Sequence, residues 1–135
     1  DQALESFGLN MGPFRMMDLV GLDLGWRARK LGGKESPLHA KIGDELCEQD
    51  RYGQKNGAGY YNYSEGSRAP NPAPENEALY ERISSDNGFT RRDISDEEIV
   101  DRCMLALIND TGRSVKDVVQ EWKDNNETIW RAWLP

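Results

Sequence analysis

Gly12-Pro13-Phe14-Arg15-Met16-Met17-Asp18-Leu19-Val20-Gly21-Leu22-Asp23 decides how this chain folds. Pro13 suits the first position of a helix, where its missing N–H costs nothing. Phe14, Met17, Leu19 and Val20 follow at helical spacing, and Gly21 interrupts before Leu22 to Lys30 resumes. Upstream, residues 2–7 read as the end of a helix, stopped by Gly8. Downstream, 31–37 is a loop, and a helix from about Leu38 to Glu48 carries Ile42 and Leu46 four apart. Residues 50–59 are rich in turns, and Tyr60-Tyr61-Asn62-Tyr63 reads as a short extended segment.

The prolines at 70, 72 and 74 hold 64–74 extended, which places a linker there. Beyond it, 75–85 is a short amphipathic helix through Leu79, Tyr80 and Ile83. Ser95-Asp96-Glu97-Glu98 is a capping box. It opens a helix whose apolar stripe is Ile99, Val100, Cys103, Met104, Leu107 and Ile108. Thr111-Gly112 stops or bends that helix. Val115, Val118, Val119 and Trp122 continue the spacing, Asn125-Asn126 breaks it, and Ile129, Trp130 and Trp133 end the chain. Few residues alternate with period two, so the fold class is all-α.

With 135 residues the chain can bury a core without staples. Hydrophobic residues make up only 37% and charged residues 30%, a balance that fits a domain with much solvated surface or one parted from a partner domain. Asp rather than Met at position 1 reads as the mark of an excised or processed piece. The formal charge of −7 argues against nucleic acid and anionic membrane as partners. No run approaches a membrane span, and no signal peptide or peroxisomal tripeptide is visible. Cys47 and Cys103 lie far apart on apolar helix faces and read as free thiols of a reducing compartment.

Catalytic constellations fare poorly. His39 stands alone in a loop-like stretch without a nucleophile beside it and reads as a surface residue. No metal-ligand spacing is present. Asp44-Glu45 and Asp96-Glu97-Glu98 sit where helix starts and exposed faces favour negative charge. Arg27, Arg29 and Lys30 form the compact basic cluster a polyanionic ligand would need, but they read more simply as solvated cations at a helix C-terminus. Gly53 to Gly59 matches neither GxGxxG nor GxxxxGK[ST], so its glycines read as turn residues. The tryptophans and Tyr60, Tyr61 and Tyr63 read as core or interface packing.

The Gly12–Asp23 segment resembles the GPF…D-x-VGLD segment of L-3-hydroxyacyl-CoA dehydrogenases. Arg51-Tyr52-Gly53-Gln54-Lys55-Asn56-Gly57-Ala58-Gly59-Tyr60-Tyr61 resembles a second segment of the same family, in the same order. Gly25-Trp26 points to its multifunctional, peroxisomal-type branch. The resemblance covers about residues 2–63 well and 94–109 moderately. It implies a helical bundle of the 6-phosphogluconate dehydrogenase C-terminal-domain-like type. Residues 1–63 would be a first repeat lacking its start, 64–74 a linker, and 75–135 a second, diverged or truncated repeat. Ile99-Val100-Asp101-Arg102 echoes the family's IVNR as a relic of that repeat. After about Asn109 the chain departs from the multifunctional enzymes.

In such enzymes a nucleotide-binding domain holds NAD and supplies a His–Glu pair, and an Asn in the IVNR motif assists. The resemblance therefore implies that this chain carries no catalytic, cofactor-binding or metal residue of its own. It implies that Met11, Gly12, Pro13 and Phe14 line the acyl-CoA pocket. It implies as partners the acyl-CoA substrate, the missing nucleotide-binding domain, and a domain–domain or homodimer contact. The expected compartment is the peroxisome, with mitochondrion or bacterial cytoplasm as alternatives. The parent would be a dehydrogenase of fatty-acid β-oxidation, the fragment alone inactive. The competing reading is a non-catalytic helical dimerisation or docking module; the second motif argues against the helical domain of another β-hydroxyacid dehydrogenase.

Overall fold

The computed structural model describes residues 1–111. Helices α1 (Gln2–Phe7), α2 (Pro13–Val20), α3 (Asp23–Leu31), α4 (Lys41–Glu48), α5 (Glu77–Asp86) and α6 (Asp96–Thr111) follow in order. Short 3₁₀ turns cover Leu38–Ala40, Gln54–Asn56 and Pro74–Asn76. Among the described residues there is no β-strand, only isolated bridges pairing Ala58 with Gly53 and Asn62, and Asn62 with Asn71. The all-α expectation therefore holds. The Tyr60–Tyr63 stretch makes bridges rather than a strand, because its hydrogen bonds go to turns and to one carboxylate.

Local signals act where the sequence puts them. Gly8 ends α1, and Pro13 occupies the first turn of α2. Gly12 has no side chain with which to cap α2, so carboxylates from the α1 region do it. Asp1 accepts the Phe14 and Arg15 N–H groups at 3.0 and 3.1 Å, and Glu5 accepts the Gly12 N–H at 2.9 Å. Negative charge at a helix N-terminus is also favoured by the dipole. Gly21 φ is +99°, and α3 begins two residues later.

The chain divides into two compact units, Asp1–Asp93 and Ile94–Pro135. The first continues past the proline-rich 64–74 stretch, since α5 packs back on α4. Its centre is Leu46, Leu79 and Ile83, with Leu22, Ile42 and Tyr60 packed around them. Cys47 is a buried free thiol beside Leu46.

In the second unit, Ser95 Oγ accepts the Glu98 N–H at 3.2 Å, the expected N-terminal cap. The Glu98 carboxylate also pairs with Arg102 at 2.9 Å. Asp101, the position echoing the family's Asn, is exposed on α6. Gly112 and the apolar spacing from Val115 to Trp133 lie outside the described residues.

Candidate functional site

The two sequence segments meet in space, and the residue that joins them is Asp18. It is fully buried, in the last turn of α2. Its carboxylate accepts the Tyr60 N–H at 2.9 Å, the Tyr61 N–H at 3.0 Å and the Tyr63 hydroxyl at 2.9 Å. Burial pushes this carboxyl above its ordinary value, against the pull of those three hydrogen bonds. The glycines of the second segment are explained by the same contact. A Cβ on Gly59 would stand 2.1 Å from Asp18 Oδ1, and one on Gly53 would stand 2.2 Å from the Asp18 carbonyl oxygen. Turn and helix touch backbone to backbone, and a side chain at either place would separate them.

Further bonds hold the turn from behind. Arg51 donates from Nε to the Gly59 carbonyl at 3.0 Å, from Nη2 to Asn62 at 2.8 Å and from Nη1 to Glu75 at 3.0 Å. Buried Asn76 donates to the carbonyls of Gly59 and Tyr60 at 3.1 and 3.2 Å. The Tyr52 carbonyl accepts the Leu22 N–H at 3.0 Å, fastening the turn to the start of α3. Lys55 pairs with Asp23, whose carboxyl that contact holds below its usual range.

On the other side of α2 lies a cavity of about 350 Å³. Its walls come from α2 (Met16, Met17, Val20), the start of α3 (Leu22, Leu24), and the His39–Asp44 stretch with Tyr60. Volume and lining fall in the range of small-molecule pockets. Met16, Met17, Val20 and Leu24 are between 46% and 69% exposed, so this apolar face is uncovered. Tyr60 meets Phe14 with ring centroids 4.6 Å apart. Burial at the cavity wall pushes the Tyr60 phenol up to about 12. A wider depression of about 830 Å³, lined by Leu19, the Gln54–Gly57 turn and the Tyr63–Arg68 loop, is as open as this cavity and less apolar, and Lys55 on its rim is already paired with Asp23.

The four positions expected to line a pocket stand at the head of α2. Gly12 is buried, Met11 and Pro13 are half-buried, and Phe14 is exposed. The close neighbour of Gly12 is the Asp1 side chain. The cavity itself opens one turn further along the helix.

The cations of α3 are paired with carboxylates; Arg27 and Lys30 stay solvent-exposed as the sequence suggested, and Arg29 is largely covered. Arg29 donates from Nε to Asp44 at 2.8 Å and pairs with it through Nη2, Lys30 pairs with Glu48 at 2.8 Å, and Arg27 pairs with Asp23 at 3.2 Å. Asp44 is correspondingly buried, contrary to its reading as a surface charge. Burial works to raise its carboxyl, and Arg29 and Ser36 outweigh it, leaving the group below its ordinary value. Trp26 donates to Glu48 at 3.0 Å and lies against Tyr52 and Lys30, so its stacking is intramolecular. Trp122, Trp130 and Trp133 lie outside the described residues. His39 is exposed at the cavity edge. Among the described residues no cluster of His, Cys, Asp or Glu could hold a metal ion, and no helix is long and apolar enough to cross a membrane.

Sequence reasoning missed Asp18, Arg51 and Asn76. One signal for Asp18 was available: a single carboxylate between Met17 and Leu19, in an otherwise apolar turn, must find partners if that turn is buried.

Residues 1–63 match the family described as 3-hydroxyacyl-CoA dehydrogenase, C-terminal domain. The chain is 39% identical over 145 aligned residues to the peroxisomal bifunctional enzyme of Danio rerio, covering 96% of the chain and 20% of that enzyme. The Homo sapiens peroxisomal bifunctional enzyme gives the same identity and coverage. The fatty acid oxidation complex subunit alpha of Psychrobacter cryohalolentis is 34% identical over 122 residues, covering 87% of the chain and 17% of that subunit. Among solved structures, the dehydrogenase part of multifunctional enzyme 1 from C. elegans superposes with a TM-score of 0.60 at 26% identity, covering 75% of this chain and 22% of that one. The chain thus spans about one fifth of the length of the curated relatives it matches.

Proposed function

Residues 1–63 belong to the 3-hydroxyacyl-CoA dehydrogenase C-terminal-domain family, and from that premise we propose that the chain is the helical part of an NAD-dependent 3-hydroxyacyl-CoA dehydrogenase of fatty-acid β-oxidation. Its task in the parent polypeptide is to close an acyl-CoA cleft and to make the contacts that hold domains or subunits together. The parent oxidises the 3-hydroxyl of the substrate to a 3-oxo group. The observation that carries this reading is the uncovered apolar wall of α2 and α3, set among cations already paired with carboxylates. Such a surface supplies shape and desolvation for an aliphatic chain. Met11, Gly12, Pro13 and Phe14, at the head of α2, form its rim in this reading.

The 53–59 turn does not fit NAD. The glycine-rich turn that a dinucleotide could use is filled by Asp18, with no room for even a methyl group at Gly53 or Gly59. Cofactor binding and proton abstraction therefore fall to other parts of the parent, and no step of the redox chemistry is assigned to this chain. The peroxisome is the proposed compartment, on the strength of the peroxisomal relatives; the bacterial relatives keep a second compartment in play.

The test compares the 135-residue chain with the full-length polypeptide that carries it. The full-length protein should form NADH from NAD and 3-hydroxyacyl-CoA, and the isolated chain should not. Turnover by the isolated chain, or none by the full-length protein, defeats the reading. Leu24 and Leu31, 69% and 90% exposed, also favour a docking module without catalysis. That alternative predicts a full-length protein that is inactive but associates through this face in gel filtration.

A further inference from the structure

We propose that Asp18 is a positioning residue of the acyl-CoA cleft: through its hydrogen bonds to residues 60, 61 and 63 it fixes the distance between the two walls that grip the acyl chain. The inference rests on the dehydrogenase reading above.

The geometry divides α2 into two working sides. Successive helical residues turn by about 100°, so Met16 and Val20 each stand about 160° around the helix from Asp18. One side faces the cavity and the other faces the 59–63 turn. Tyr60 belongs to both: its N–H is held by Asp18 at 2.9 Å, and its ring lines the cavity and meets Phe14. The cavity wall made by α2 and the wall made by Tyr60 are therefore joined through one carboxylate. Asn76 and Arg51 fix the carbonyls of the same turn. The turn can settle against α2 in this place because Gly53 and Gly59 bring no Cβ.

A carboxylate is specifically required here. Two backbone N–H groups and a phenol converge on it, and all three are donors. An apolar residue of similar size would fill the space but leave two peptide donors buried without acceptors. Asparagine would turn one of its own donors toward this set, so D18N keeps the volume and loses the geometry. Y63F removes one of the three donors and leaves the backbone pair intact.

The consequence is kinetic and depends on chain length. A loosened wall weakens contacts made equally in ground and transition state, so KM rises while kcat stays the same. The contacts are with the acyl chain, so a long substrate feels the change and a short one does not. A purely structural role gives another pattern: fewer folded molecules, a lower kcat for every substrate and an unchanged KM.

The experiment measures NAD-linked oxidation of 3-hydroxybutyryl-CoA and 3-hydroxyhexadecanoyl-CoA by the full-length polypeptide, as wild type, Y63F and D18N. Y63F should raise KM for the long substrate severalfold and D18N by about tenfold or more. For both variants KM for the short substrate and kcat should stay within about twofold of wild type. Loss of kcat alone, equal for both substrates, overturns the proposal. So does a Y63F enzyme identical to wild type, and Y63F carries the test by itself should D18N fail to fold. An inactive wild type is a separate outcome: it overturns the dehydrogenase reading and this proposal with it.

Discussion

Gly53→Ala offers the sharpest check on the contact between α2 and the 51–63 turn. Gly53 has φ +110° and ψ −153°, a region essentially reserved for glycine. Forcing an alanine there costs about 1–3 kcal/mol in backbone strain. The added methyl group would also lie 2.2 Å from the Asp18 carbonyl oxygen and 2.9 Å from its carbonyl carbon and Cα. Those are backbone atoms of a packed helix, so they cannot swing aside, and overpacking adds about 1–3 kcal/mol. The expected loss is about 4 kcal/mol, a large part of the ~5–15 kcal/mol that holds a typical domain together. Gly66→Ala is the matched control. Gly66 also has positive φ, +74°, but no atom lies within 4 Å of its would-be Cβ, so it should lose only about 1–2 kcal/mol. For a domain of this size each kcal/mol moves Tm by about 4–8 °C. Urea and thermal unfolding followed by far-UV circular dichroism should place G53A about 10 °C or more below G66A. Equal midpoints for the two variants would refute the claim that the turn and α2 meet backbone to backbone.

Two further outcomes follow from the titrating groups. Asp44 titrates below 3.8 in the folded chain, so as pH falls the unfolded chain takes up that proton first. Its contribution to stability is in place above pH 3.8 and disappears as pH falls through the depressed value, so D44N should lose less stability than wild type between pH 5 and pH 3 in urea titrations, about these ordinary carboxylate values; an unchanged acid dependence would disprove the Arg29–Asp44 assignment. Burial, followed by the charges of Asp23 and Asp44, pushes the Cys47 thiol up to about 12, so a thiol reagent at neutral pH should label half-buried Cys103 first and reach Cys47 only in denaturant; equal labelling rates in the folded protein would contradict the packing of α4.

Much of this architecture was legible before any coordinates. Gly8, Pro13, Gly21 and Ser95 act through their own backbone or through neighbours a few residues away, so the boundaries they set for α1, α2, α3 and α6 could be read directly. Leu46, Leu79 and Ile83 announce the inward faces of α4 and α5 by helical spacing, because that period depends only on the geometry of one helix. Family membership was legible too, since two segments in the same order are a property of the linear chain.

The site was less legible. A sequence shows that Asp18 is a carboxylate, but not that three donors 42 to 45 residues away converge on it. It shows a cluster of cations on α3 and, four residues before Arg27, the Asp23 that pairs with it, but not that Asp44 and Glu48 lie within reach of Arg29 and Lys30. It marks Met11 to Phe14 at the head of α2, but does not show that Met16, Met17 and Val20 one turn further on meet a wall from residues around 40 and 60. Helix starts, stops and apolar faces are fixed by short-range sterics and hydrogen bonding, which the order of residues carries by itself. Which carboxylate is buried, which cation is neutralised and where a cavity remains depend on distances between distant segments, and those distances come into being only when the chain packs.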